Sequence, residues 1–101
     1  MAEADIEKVL TIFHGISARD VDLATQHIDH KRFVQHNPYA TDGVDGLVQF
    51  ISQSPRDQLQ LTVVRGLQDG PYVVTQAKGK RSGRNVFFDI FRFEDGMVVE
   101  R

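Results

Sequence analysis

The sequence contains no cysteine. Disulfide bonds, thiol catalysis and zinc sites built from cysteine are therefore excluded. The chain also lacks an excess of positive charge, because its 12 lysines and arginines are outnumbered by 14 acidic residues and the net charge is -2. Nothing in this balance attracts the chain to nucleic acid or to an acidic membrane surface. We expect neither partner.

Long apolar runs are missing as well. No segment approaches the roughly 18 apolar residues that a membrane span needs. The opening residues, MAEADIEKVL, are acidic and lack the apolar stretch of a signal peptide. These observations predict a cytoplasmic protein.

The chain does have the composition of one globular domain. Of its 101 residues, 41% are hydrophobic and 26% are charged, which is close to the average for globular proteins. A chain of this length buries about two-thirds of its unfolded surface when it folds. We predict a single domain over residues 1–101.

The first half of the sequence carries a helical period. Apolar residues recur at helical spacing near the start, and Gly15 is expected near the exit of this first helix. Asp20 is a plausible N-cap for a short second helix. Residues 32–36 are predicted to form a short strand, and a third helix is expected to end before Pro55. The apolar positions that carry the three helical stripes are Ile6, Val9, Leu10, Phe13, Leu23, Ala24, Ile28, Val44, Leu47, Val48 and Ile51.

In the second half the period changes to two. The segments at 59–67, 72–80, 85–93 and 97–101 are rich in β-branched or aromatic residues. The sequences QDGP, KGKRSGRN and EDG between them favour tight reversals. Helices followed by an antiparallel meander predict an α+β domain with the helices on one face of the sheet.

One acidic residue stands out in the third predicted strand, NVFFDIFRF. Side chains alternate along a strand, so Asp89 shares a face with Phe87, Phe91 and Phe93. An ionised carboxylate among aromatic rings is costly unless it has a partner or a function. The other face of the same strand, with Val86, Phe88, Ile90 and Arg92, is also largely apolar. We expect a second chain to cover that face.

Three segments carry a resemblance to a known family. They are FVQHNPYATDGVDGLVQFI, VVRGLQDGPYVV and VFFDIFRFEDGMVVE, in register over residues 33–100. The sequence resembles the SnoaL-like proteins, polyketide-cyclase relatives in the NTF2-like superfamily. The resemblance implies a curved sheet wrapped into a cone by the N-terminal helices, a deep pocket between them, and commonly a homodimer formed through the sheet.

The resemblance also implies a chemistry. Cyclases of this type run an intramolecular aldol condensation without a metal or a Schiff base, with one aspartate as acid and base. The matching position is Asp89, and an apolar wall suits that role because it favours the protonated form of a carboxylate. The alternative is a structural role, in which Asp89 pairs with Arg65 or Arg92 or caps a turn. We expect no cofactor and no metal.

Further pocket residues are suggested by the same likeness. His36 and Asn37 match positions at the pocket mouth, where they could hydrogen-bond a substrate carbonyl, although Asn37 fits a plain turn equally well. Tyr39 and Tyr72 are minor candidates, because a half-buried tyrosine is more often only packing. Phe87 and Phe91 are expected to form the apolar lining.

Two features depart from the family pattern. Many relatives carry a histidine where this sequence has Gln76, which can hydrogen-bond but cannot relay a proton. Relatives also continue with a histidine-tryptophan-aspartate stretch, whereas this sequence ends at Arg101. We therefore expect a shorter sheet with a more open pocket, or an edge covered by a partner chain.

The remaining motifs carry little chemistry. His27 and His30 have a spacing that metals use, but no third ligand is evident. The basic loop KGKRSGR lacks the spacing of a phosphate-binding loop. The sequence thus predicts a pocket protein for a small, largely apolar carbonyl compound, acting as a cyclase or isomerase through Asp89 with His36 and Gln76 orienting the carbonyl oxygen. The alternative is a non-catalytic ligand-binding or dimerisation module.

Overall fold

Three α-helices precede four β-strands along the chain. The computed structural model describes residues 4–36, 43–55, 59–79 and 85–101. None of the helices in these ranges is long and apolar enough to cross a membrane. The elements are α1 (Asp5–Ala18), α2 (Val21–Thr25), α3 (Gly43–Gln53), β1 (Leu61–Asp69), β2 (Tyr72–Gly79), β3 (Asn85–Glu94) and β4 (Met97–Glu100).

Helix α1 supplies much of the core. Val9, Ile12, Phe13 and Ile16 are buried along one stripe, at the spacing of an amphipathic helix. Gly15 lies near the exit of this helix, as predicted, in the last turn before α1 ends at Ala18. The residue at this position is a glycine because α2 packs so closely there that a side chain would not fit.

The chain from Asp20 to α3 begins as expected and then departs from the prediction. Asp20 caps α2, and its carboxylate accepts a hydrogen bond from the Leu23 amide. The strand predicted over 32–36 is reduced to a single parallel bridge between Val34 and Glu100. The start of the predicted strand is held in a local turn, in which the Asp29 carboxylate accepts hydrogen bonds from two following amides, since aspartate offers the backbone an alternative to a ladder. The backbone at Val34 and His36 bonds to the end of the chain at Val99 and Arg101.

The four strands form one antiparallel sheet in the order β1-β2-β3-β4. Two of the three predicted turns are confirmed: Gly70 has a φ of +58° between β1 and β2, and Asp95 and Gly96 both have positive φ between β3 and β4. Most of the third predicted reversal, KGKRSGRN, lies outside the described residues and stays a prediction. Positive φ at both central residues suits a two-residue hairpin turn. A β-bulge interrupts β1 between Val63 and Arg65.

The two faces of the sheet differ sharply. The inner face, which carries Phe87, Asp89 and Phe91 on β3, is packed under the helices and adjoins the core. The outer face is apolar and exposed, as the alternation in β3 predicted. Its exposed members include Leu67, Val74, Val86, Phe88 and Ile90. This α+β architecture, with helices on one side of a curved sheet, confirms the predicted fold class.

Candidate functional site

Asp89 lies on the inner face of β3, between Phe87 and Phe91 along the strand. Phe91 is fully buried, and its ring meets that of Phe13 from α1 edge to face, with 5.8 Å between centroids. The Asp89 side chain is 20% exposed. The structure therefore places this carboxylate at the margin of an aromatic core, where the alternation of β3 predicted it.

The partner of Asp89 is Arg101. The Arg101 Nε donates a hydrogen bond to Asp89 Oδ1 over 3.1 Å, and the arginine side chain is only 13% exposed. The two arginines proposed from the sequence are elsewhere. Arg65 is exposed and stands opposite Gln76 on the outer face, while Arg92 binds Glu94 and Glu100.

Arg101 is held from several directions. Its guanidinium carbon lies 5.4 Å from the ring centroid of Phe91 and 5.7 Å from that of Phe13, distances typical of cation–π contacts. Its backbone amide donates to the Val34 carbonyl, and its carbonyl accepts from the His36 amide. The segment at 34–36 therefore fixes the backbone from which this guanidinium projects.

A buried hydroxyl lies beside the pair. Thr75 is directly opposite Asp89 in the β2–β3 register and is fully buried. Its Oγ1 has no hydrogen-bond partner among the residues that the structure describes. A buried polar atom without a partner needs an explanation, such as an ordered water or a ligand.

The Asp89–Arg101 pair retains unused hydrogen-bonding capacity. Within the described ranges, the Nε to Oδ1 contact is the only hydrogen bond that either charged group makes. The second carboxylate oxygen, Oδ2, and the two terminal nitrogens of Arg101 therefore make no hydrogen bond to the described chain. An acceptor oxygen and two N–H donor groups are thus available beside aromatic rings, which is a pattern suited to a small ligand with one polar group.

Gln76 and Tyr72 are placed on the opposite face from Asp89. Gln76 pairs with Phe88, and Tyr72 pairs with Arg92, so both side chains share the outer face with the exposed apolar residues. The expectation that Gln76 orients a carbonyl oxygen beside Asp89 does not fit this register, because neighbouring residues of a strand project to opposite faces.

His36 also lies apart from Asp89. Its Nε2 is 2.8 Å from Glu100 Oε2, and its side chain is largely exposed. Glu100 in turn binds Arg92, which belongs to the outer face. Asn37 and Tyr39 lie outside the described residues, so their roles stay predictions.

Hydrogen bonds between ionisable groups link Arg92, Glu100 and His36 at this end of the sheet. The hydrogen bond from Arg92, followed by that with His36, holds the pKa of Glu100 below its ordinary value of 4.5. The same contact, together with one to Glu94, raises the pKa of Arg92. Glu100 is therefore ionised over the physiological range, and its hydrogen bonds connect Arg92 of β3 with His36.

Sequence reasoning missed Arg101 and Thr75. The period of two could have excluded Arg92, since that arginine shares a strand with Asp89 and differs from it by an odd number of positions. No comparable signal pointed to Arg101, because its contact with Asp89 depends on the register between β3 and β4, the strand that Arg101 directly follows. For metal binding, the described residues hold no cluster of three or more potential ligands.

Solved structures share this fold. An NTF2-like protein of unknown function from Cytophaga hutchinsonii has a TM-score of 0.81 at 13% identity, covering 99% of this chain and 88% of its own. A proposed ketosteroid isomerase from Kribbella flavida has a TM-score of 0.80 at 20% identity, covering 95% of this chain and 73% of its own. TerC, co-crystallised with polyporic acid, has a TM-score of 0.71 at 16% identity, covering 95% and 86%. At these identities the likeness establishes the fold.

The sequence itself assigns the family. No curated protein sequence matches closely enough to count as a relative. The family model of the SnoaL-like domain, however, matches residues 8–101, which is nearly the whole chain. The chain belongs to the SnoaL-like domain family of the NTF2-like superfamily.

Proposed function

We propose that this protein binds a small, largely apolar carbonyl compound at the inner face and transfers a proton next to its carbonyl group. The observation that carries the proposal is the position of Asp89, a partly buried carboxylate beside Phe91 with Oδ2 unbonded. Family membership and a neighbouring structure described as a proposed isomerase support the same assignment.

The reaction needs only one acid/base group. Asp89 takes a proton from the carbon next to the carbonyl, which leaves an enolate and a neutral carboxylic acid. In an isomerisation the same acid returns the proton to another carbon. In an aldol cyclisation the enolate carbon attacks a second carbonyl, and the proton goes to the new alkoxide. Positioned acid/base groups of this kind typically accelerate a reaction by about 10²–10⁴-fold.

Exchange of carbon-bound hydrogen tests the proposal without knowledge of the natural substrate. The probe is 1-tetralone in D₂O, and proton NMR follows deuterium entering the position next to its carbonyl. We expect the protein to accelerate exchange and the Asp89→Asn variant to lose the acceleration. Asp22→Asn is the matched control, because Asp22 is exposed on α2. Equal exchange rates for the protein and D89N would contradict an acid/base role for Asp89.

A second candidate function is a non-catalytic ligand-binding or dimerisation module. The Asp89–Arg101 ion pair favours it, since an ion pair is also a common structural arrangement. In that case the protein would bind 1-tetralone without accelerating exchange.

The cytoplasmic location stays a prediction.

We also propose a homodimer formed through the outer face. Leu67 and Phe88 are each 71% exposed, and contiguous exposed apolar surface of this kind marks an association site. Charge favours a second copy of this chain: Asp69 lies at one end of the outer face and Lys78 at the other, so a copy turned end for end would pair them.

A further inference from the structure

We infer that Arg101 binds the carbonyl oxygen of the ligand, in the role that the sequence had suggested for His36 and Gln76. This inference rests on the proposed ligand class and adds a specificity-determining residue to it. It also defines the ligand further, as an uncharged compound with a carbonyl oxygen attached to an apolar ring system.

The hydrogen-bond donors of Arg101 give the first support for this inference. Nε is engaged by Asp89, whereas the two terminal nitrogens make no hydrogen bond to the described residues. The side chain is 13% exposed, so bulk water reaches little of it. Guanidinium N–H groups in such a place usually have acceptors, and the rings of Phe13 and Phe91 offer only their π faces.

The geometry of the Arg101 guanidinium gives a second support. The guanidinium is planar and rigid, so fixing Nε on Asp89 also fixes the terminal nitrogens next to the same carboxylate. A carbonyl oxygen bound by those nitrogens brings the neighbouring carbon of the ligand towards Asp89. One arginine would thus position the carbonyl and stabilise the negative charge that develops on its oxygen when the proton leaves.

The charge of the site gives a third support. The Asp89–Arg101 pair has no net charge, so an uncharged ligand meets no electrostatic imbalance. A ligand carboxylate would place a second negative charge beside Asp89, and two carboxylates that share a site disfavour each other's ionised form. The aromatic surroundings, Phe87, Phe91 and Phe13, match an apolar ring.

The experiment compares affinities for two probes that differ by one oxygen, 1-tetralone and its hydrocarbon analogue tetralin. We expect the protein to bind the ketone at least about tenfold more tightly, the size expected for a hydrogen bond to a charged group. In Arg101→Met that preference should disappear. In Arg101→Lys, which retains a charge but offers no planar pair of donors, it should fall as well. Arg92→Met is the matched control and should keep the full preference, because Arg92 serves the outer face.

The ratio of the two affinities separates binding from folding. A variant that merely loosens the structure weakens the binding of both probes alike and leaves the ratio of their affinities unchanged. An unchanged ratio in R101M would overturn the inference. A wild-type protein that does not prefer the ketone, including one that binds neither probe, would overturn it too. D89N should keep the preference while losing exchange. If the wild-type protein does not accelerate exchange but still prefers the ketone in a way that depends on Arg101, the proposed catalysis is rejected and the inference stands.

Discussion

Gly15 of α1 is in direct contact with the backbone of Ala24 in α2. A Cβ atom added to Gly15 would lie 2.6 Å from the Ala24 Cα, closer than any packed pair of carbon atoms. The contact is to the main chain, so no rotamer change relieves it. The angle and separation of α1 and α2 therefore depend on the absence of a side chain at Gly15.

Gly15→Ala is therefore expected to destabilise the protein. Alanine normally favours a helix interior over glycine by about 1 kcal/mol, but overpacking of a close contact costs typically about 1–3 kcal/mol. We expect the steric cost to exceed the gain in helix propensity, so that the free energy of unfolding measured in urea falls. His14→Ala, at the exposed neighbouring position, is the control and should change stability little. An unchanged or higher stability for G15A would show that the two helices can move apart freely.

Thr75→Val should leave stability equal or raise it by up to about 1 kcal/mol, because the substitution removes a buried hydroxyl without a partner while keeping the shape. The matched change, Thr25→Val, should do the reverse. Thr25 is also buried, but its Oγ1 donates to the Val21 carbonyl over 2.8 Å. Urea unfolding of both variants tests the contrast. Destabilisation of T75V as large as that of T25V would mean that the Thr75 hydroxyl is bound, for example by an ordered water.

Stability should fall with acid through Glu100. Its pKa is lowered in the folded protein, first by the hydrogen bond from Arg92 and then by His36. A carboxylate with a lowered folded pKa contributes stability above its ordinary value of 4.5, and this contribution is lost as the pH falls from there through the folded pKa. Glu100→Gln should therefore show a shallower decline of unfolding free energy below that pH. Glu7→Gln is the control, since Glu7 is exposed in the first turn of α1, and a slope for E100Q as steep as that of E7Q would contradict the assignment.

Leu67→Asp should abolish the proposed homodimer. Each copy would bury one Leu67, and burial of a leucine contributes about 1.5–3 kcal/mol, so two copies correspond to roughly a hundredfold or more in the association constant. Analytical ultracentrifugation measures the change. Leu10→Asp introduces the same charge at an exposed leucine of α1, away from the outer face, and should leave association unchanged. A monomeric wild type, or dimers in both variants, would reject the outer face as the interface.

The fold could be predicted from the sequence because periodicity reports burial directly. The alternation in β3 correctly placed Asp89 and Phe91 on one face and Phe88 on the other. The third helix likewise ended before Pro55. These inferences needed only the local pattern, together with residues whose backbone preferences are strong.

The composition of the site could not be predicted in the same way. Whether Thr75 or Gln76 stands opposite Asp89 depends on the register between β2 and β3, and a slip of one residue exchanges the two faces. The strand predicted at 32–36 lost its first residue for a local reason, since the Arg32 amide donates to the Asp29 carboxylate instead of to another strand. Identifying Arg101 as the partner of Asp89 required the register between β3 and β4, which brings the residue after β4 next to the Asp89 carboxylate.

The bulge in β1 limits how this protein can associate. In the described sheet β1 has one neighbour, β2, so its other edge offers main-chain groups on which a foreign strand could add. The extra residue between Val63 and Arg65 twists that edge and breaks its regular spacing. The Ser17 hydroxyl also occupies the amide and carbonyl of Leu61 at the start of the strand. Open-ended growth through strand addition is thereby discouraged, while closed association through the outer face is left available.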